Sequence, residues 1–307
     1  MAALMNRTGG LTAEMMTYYE KTFLDRAEYA LVLDQGGQKR SHGGNVGKSI
    51  VFTRYTPLAL ATTALSEGAN PATTTLVTGT NVSCTLAEYG NTLKVAKFLS
   101  LTSIDARDKE KIELVGQNMG ETLNRLVRSE FQNATNTFAP YHSRNISTVK
   151  SSETLDANDV RAVLKTLEIN KAQKYPDGTF LGKVDPYEKY NIIGDTTWVA
   201  VKEYSDPKDL YKAEIGSLYG VRFIENVDAL SSVGLNGASG VTCYSTFIHG
   251  DNAFGVYDLA GDQPKMYITS GLDSGNQTGR FQMISWAGSF VVKILNSDWI
   301  RELFNAV

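Results

Sequence analysis

Three consecutive residues, Gly47-Lys48-Ser49, sit within the stretch "SHGGNVGKSIVF" (Ser41 to Phe52), and they are the residue types that close a phosphate-gripping P-loop. That loop needs a glycine five places before its Gly-Lys pair, because the turn made there aims successive backbone N–H groups at the phosphates. It also needs a helix to follow, so that the positive helix end faces the anion. Here His42 stands at the first glycine's place, and Ser49 to Tyr55 is β-branched and aromatic, which predicts a strand. The stretch therefore reads as a glycine-rich lead into a strand, and a nucleotide-binding enzyme using Gly47-Lys48-Ser49 is the remote alternative.

The other residues able to do chemistry are scattered. His42 and His142 lie in polar, glycine- or serine-rich surroundings, and His249 sits between Ile248 and Gly250 at an expected strand end. No two of these histidines have metal-ligand spacing, and no G-x-S-x-G elbow is present to expose a serine nucleophile. Cys84 falls on the apolar side of an expected strand and reads as a packed small hydrophobe, while Cys84 and Cys243 are too far apart in sequence to form a C-x-x-C pair. "DSGNQTG" (Asp273 to Gly279) lacks the ordered acidic ligands of a calcium loop. No catalytic residue, cofactor site or metal ligand is assigned, and the chain is read as a non-enzyme.

The elements that carry these residues are mixed. Thr17 to Leu33 has a partial helical stripe (Tyr18, Phe23, Ala27, Ala30, Leu31) between glycine pairs, which suggests an arm with hinges. Ser49 to Phe98 reads as a long hairpin: its tip, "SEGANPATTT", is small and polar, and its return limb alternates Val82, Cys84 and Leu86 with polar neighbours. From about Asp105 to Asn133, Ile112, Val115, Met119, Leu123 and Leu126 recur at steps of three and four, predicting a long spine helix. A second helix, Ala157 to about Ala172, begins at Asp156 as N-cap, with Asp159 near its positive end and a staple of Leu155 on Val160. Beyond Lys183 short helices and strands alternate, a small-residue loop runs from Asp228 to Gly240, and the chain closes on strands. The class is α+β.

Bulk properties narrow the choice. With 307 residues, 42% hydrophobic and 21% charged, the chain can build a substantial core. A net charge of −3 and the absence of a Lys/Arg-rich run argue against a protein that grips nucleic acid by neutralising phosphates. No apolar run reaches the ~18 residues of a membrane span, and the cysteine usage suits a reducing cytoplasm.

Read in order, "YYEKTFLDRAEYALVLDQGGQK", "GKSIVFTRYTPLALATTALSEGANP", "EYGNTLKVAKFLSLTSID", "NDVRAVLKTLEINKA", "YSDPKDLYKAEIGSLYGVRFIENVD" and "SWAGSFVVKILNSDWIREL" resemble the major capsid proteins of tailed bacteriophages of the N-four gp56 type. Arg54-Tyr55-Thr56-Pro57 and Ser217 to Phe223 are the most distinctive stretches. The resemblance implies the Hong-Kong-97-like fold, with an N-terminal arm (1–48), an E-loop (49–98), a peripheral domain (99–182, spine helix about 105–133), an axial domain (183–261) and C-terminal strands returning to the peripheral domain (262–307). It also implies self-assembly through hexamers and pentamers into an icosahedral virion head around double-stranded DNA, held without sequence-specific binding and built in the bacterial cytoplasm.

The implied partners are other copies of the chain, a portal, a decoration protein and a scaffolding protein. A separate scaffold is expected because the arm starts almost at Met1; removal of a prodomain is the alternative. Candidate inter-subunit contacts are Tyr18, Tyr19, Lys48, Arg54, Glu67, Asn70, Arg107 and Arg125. The E-loop region between Pro57 and Val82 has no lysine, so shells without covalent cross-links are expected. An encapsulin-type nanocompartment shell is the alternative within the same fold.

Overall fold

The computed structural model describes residues 13–42, 47–54, 60–62, 64–68, 70, 80–96, 108–133, 150, 152–195, 198, 214–226, 243–259, 262–270 and 277–306. Arg107, His142, the Asp228 to Gly240 loop and most of the expected hairpin tip lie outside them.

Two helices form the first layer. Helix α1 (Ala13–Ala30) lies along α2 (Asp108–Gln132), the expected spine, which spans about 37 Å at ~1.5 Å per residue. The foreseen stripe of α2 is the buried one: Ile112, Val115, Met119 and Leu123 are in the core, and Leu126 packs at its edge. From α1, Phe23 and Ala27 join them. The two backbones meet at glycines. A Cβ on Gly116 would stand 2.6 Å from the Phe23 carbonyl oxygen, and one on Gly120 would stand 2.5 Å from that of Ala27. The helix foreseen as part of a hinged arm is thus seated on the spine. Beyond it, the buried Asn124 side chain accepts from the amides of Val32 (3.3 Å) and Leu33 (2.9 Å), tying the departing chain to α2.

The first sheet has five strands: β1 (Gln38–His42), β4 (Ala87–Ala96), β9 (Phe254–Leu259), β10 (Lys265–Ser270) and β11 (Phe281–Ile294). Its axis is the long β11, which pairs antiparallel with β10 and β4 along its first part and with β9 at its end, while β1 adds parallel to β9. Alternation decides which side faces the helices: on β10, Met266 and Ile268 are buried while Lys265 and Tyr267 are exposed. Trp286 of β11 is buried beneath α2, and its indole N–H donates to Asn118 Oδ1 at 3.1 Å.

The second sheet runs β12 (Ile300–Ala306), β8 (Cys243–His249), β5 (Phe180–Val184), β7 (Val221–Glu225), β6 (Glu214–Leu218), with β5 and β7 parallel and the other pairs antiparallel. Both faces are covered, which explains why every residue of β5 is buried. One face packs Phe180, Val184, Phe223, Ile248 and Leu303 against Val160, Val163 and Leu167 of α3 (Ala157–Ile169). The other gives Phe247 and Ile300 to the core built by α2 and the first sheet. Helix α3 starts as its sequence requires: Asp156 accepts from the amides of Asn158 and Asp159, and Asp159 reaches back to complete a capping box. The short α4 (Pro186–Gly194) follows β5.

Strands β2 (Ser49–Arg54) and β3 (Thr80–Thr85) form an antiparallel ribbon. Its inner face, Ile50, Phe52, Cys84 and Leu86, packs on Tyr257 of the first sheet. The expected single hairpin over Ser49 to Phe98 divides here, because β4 pairs with β11 and not with the outgoing limb. The sheets also cross the segment boundaries foreseen at 183–261 and 262–307: β9 joins the first sheet, and β12 joins the second.

Candidate assembly surfaces

The glycine-rich lead ends at Gly47, whose φ of +97° is open to glycine and strained for other residues. Lys48 and Ser49 are exposed, the Lys48 carbonyl accepts from the Leu86 amide at 2.9 Å, and the chain passes directly into β2. A strand follows Gly47-Lys48-Ser49, as its β-branched residues predict, so the helix N-terminus that a P-loop needs is not presented there.

The remaining candidate contact residues lie far apart in the sequence and on different elements. Tyr18 and Tyr19 are neighbours on α1, their rings 5.9 Å apart; Tyr18 is half exposed and Tyr19 packs on the main core. Arg54 ends β2 opposite Thr80. Glu67 and Asn70 are exposed in the region of the expected tip, as is Leu65, and Arg125 is on the exposed side of α2. Outward-facing tyrosines and leucines recur elsewhere: Leu24 and Tyr29 on α1, Leu114 on α2, Tyr187 and Tyr190 on α4. They lie on separate elements, an arrangement suited to meeting several neighbours.

Several polar groups are inside, and of these the sequence singles out only His249. Lys183 has no exposed surface; its Nζ donates to the Leu33 carbonyl and lies 4.9 and 4.7 Å from the ring centres of Phe131 and Phe254. Burial lowers it to about 7, with the Asp34 carboxylate acting in the other direction. His249 flanks the same two rings and contacts the Tyr175 hydroxyl through Nδ1 at 3.0 Å. Burial, and then the Lys183 charge, hold its imidazole well below the usual histidine range. Glu302 is lifted to about 8 by burial. Glu188, fully buried with neither carboxyl oxygen hydrogen-bonded, is raised well above a normal glutamate by burial and then by Asp185 and Asp159. A lysine inside the apolar run "FLGKV" was the available signal for the first of these.

Both cysteines are buried outside any disulfide, and burial pushes their thiols up, away from the thiolate a nucleophile needs. Among the described residues no group of three or more His, Cys, Asp or Glu side chains is placed to hold a metal ion, and no helix is long and apolar enough to cross a membrane.

A long helix and a helix-backed sheet joined to a second, doubly covered sheet, with a two-stranded ribbon packed on the first sheet, make this an α+β chain. No protein-family model matches the chain, nor does any curated protein. Solved structures do match. The capsid of the cyanophage P-SCSP1u is similar at a TM-score of 0.61 with 13% identity, covering 90% of this chain and 88% of that one. The capsid of Ralstonia phage GP4 is similar at 0.64 with 9% identity, covering 90% and 89%. A virus-like particle from Pyrococcus furiosus is similar at 0.56 with 10% identity, covering 95% and 100%. At such identities the likeness is one of fold.

Proposed function

We propose that this chain is the major capsid protein of a tailed bacteriophage, a structural protein whose copies assemble as hexamers and pentamers into the icosahedral head around double-stranded DNA. The observation that supports the reading is the extent of the shared fold: about nine tenths of the chain is covered by the match to phage capsid structures. Physical features support it. Apolar side chains are exposed on several separate elements, and a closed lattice needs each copy to meet several neighbours. Weak contacts repeated around a closed shell become collectively firm.

In this reading residues 1–48 are the N-terminal arm, 49–98 the E-loop crossing a neighbouring copy, 99–182 the peripheral domain, 183–261 the axial domain and 262–307 the returning strands. Tyr18, Tyr19, Lys48, Arg54, Glu67, Asn70, Arg107 and Arg125 are its proposed contacts. A separate scaffolding protein, a portal and a decoration protein are its proposed partners, and the host cytoplasm is the place of assembly. The DNA is confined without tight binding, in keeping with the net charge of −3.

Electron microscopy of the purified protein with its co-encoded scaffold tests the proposal. Closed shells of hexamers and pentamers are the expected result, and persistent monomers under all such conditions would overturn it. The nanocompartment reading shares the fold; shells filled with cargo protein in place of DNA would select it. Calorimetry with ATP and GTP tests the remote enzyme reading, which requires saturable binding lost in Lys48→Ala.

A further inference from the structure

Three elements meet at Leu33 to Gly37, where the chain passes from α1 to β1. Asn124 of α2 holds the Leu33 amide, and Lys183 of β5 holds the Leu33 carbonyl. Tyr175 donates to the Gly36 carbonyl at 2.8 Å. Gly36 turns with φ +82°, and a side chain there would collide with the Tyr175 hydroxyl. Between these ties lies Asp34, its side chain 8% exposed, paired at 2.5 Å with Lys39 of β1, whose side chain is 67% exposed.

Lys183 is therefore next to a carboxylate already engaged elsewhere. The titratable groups around Lys183 come from several elements: Asp34 from the α1–β1 connection, paired with Lys39; His249 from β8, with the Tyr175 hydroxyl on its Nδ1 and Asp251 near that hydroxyl; and, farther off across Phe247, Glu302 from β12. Helix α2 and strand β9 present the rings of Phe131 and Phe254. Of the two basic groups on those rings, the imidazole stays neutral around pH 7 while the lysine changes charge there. A buried cation without a counter-charge is strongly unfavourable, whereas an exposed ion pair contributes little.

We propose that Asp34 is shared in turn by two lysines: when Lys183 takes a proton, the Asp34 carboxylate leaves Lys39 for Lys183. The exchange tightens the grip on Leu33 and Asp34 while freeing Lys39, so β1 loses a tie at the edge where it pairs with β9. The seating of β1 becomes responsive to pH near neutrality. This inference stands on the subunit alone and is independent of the capsid reading.

The test uses the unassembled full chain, labelled with 13C at lysine Cε and titrated by NMR from pH 5.5 to 10, with hydrogen exchange of the Gln38 to His42 amides followed in parallel. One lysine titrates near pH 7 and is lost in Lys183→Met. After correction for intrinsic rates, the β1 amides exchange faster by about two- to fivefold below that midpoint, and Asp34→Asn removes this step. Should Lys183→Met fail to fold, Asp34→Asn decides alone by moving the lysine midpoint to lower pH. Lysines that all titrate near their ordinary pH, an unchanged midpoint in Asp34→Asn, or a β1 exchange step that survives Asp34→Asn would each overturn the proposal.

Discussion

Lys183 and Glu302 stand in one cross-strand row of the second sheet, on either side of Phe247, and do not form an ion pair: Phe247 is the register partner of both, and Glu302 Oε1 has no hydrogen-bond partner. With strands ~4.8 Å apart, the two Cα atoms are about 10 Å apart. Each group is buried close to its neutral form, the lysine with a value lowered to about 7 and the glutamate with one raised to about 8. Their effects on stability have opposite signs.

For Lys183 the folded value lies below the unfolded one of 10.5, so the unfolded chain binds more protons between about 7 and 10.5, and this group makes stability rise with pH across that window. For Glu302 the folded value lies above the unfolded 4.5, so its favourable contribution is complete below 4.5 and is lost as pH rises to about 8. Denaturant unfolding across pH 4 to 10 is expected to show Glu302→Gln without the falling component and Lys183→Met without the rising one. A tenfold change in proton affinity is worth ~1.4 kcal/mol, so each component is on the order of a few kcal/mol. Single variants whose pH profiles match the wild type would contradict this assignment.

Gly120→Ala is expected to destabilise the subunit by about 1–3 kcal/mol, the usual cost of overpacking, even though alanine is the better helix former by ~1 kcal/mol. The added methyl meets the Ala27 carbonyl oxygen at 2.5 Å and the Ala30 Cβ at 2.7 Å, so α1 has to lift from α2. Gly194→Ala, with nothing within 4 Å of its Cβ, is the control and is expected to be neutral. Thermal midpoints of both variants check the pair.

Asp156→Ala removes the acceptor for two amides at the start of α3 and one half of the capping box. A loss of ~1 kcal/mol is expected, measured as a shift in the urea midpoint without a change of slope. Asp156→Asn should restore most of it, because the amide oxygen still accepts.

Deleting Leu65 to Thr75 is expected to leave a folded subunit that does not assemble. Leu65 through Gly68 and Asn70 are exposed on their own subunit, and the ribbon's apolar contacts lie at its base, on Tyr257. Circular dichroism and size-exclusion chromatography separate the outcomes; loss of folding would place the segment in the core, and normal shells would remove it from the contacts.

Sequence alone determined the features governed by local rules. The spine stripe from Ile112 to Leu123, the start of α3 at Asp156 and the strand after Gly47-Lys48-Ser49 could all be read, because periodicity, capping and β-branching act within a few residues. The resemblance to phage capsids in segment order led to the same fold that the solved structures share. The partnerships were decided only in three dimensions. That β4 leaves its hairpin for β11, that β12 crosses to the second sheet and that α1 rests on Gly116 and Gly120 depend on surfaces brought together from distant parts of the chain. Lys183 and Glu302 are the clearest case. Each looks like an ordinary charged residue in the sequence, and only the packing of two sheets and a helix around them removes the water that would have kept them charged.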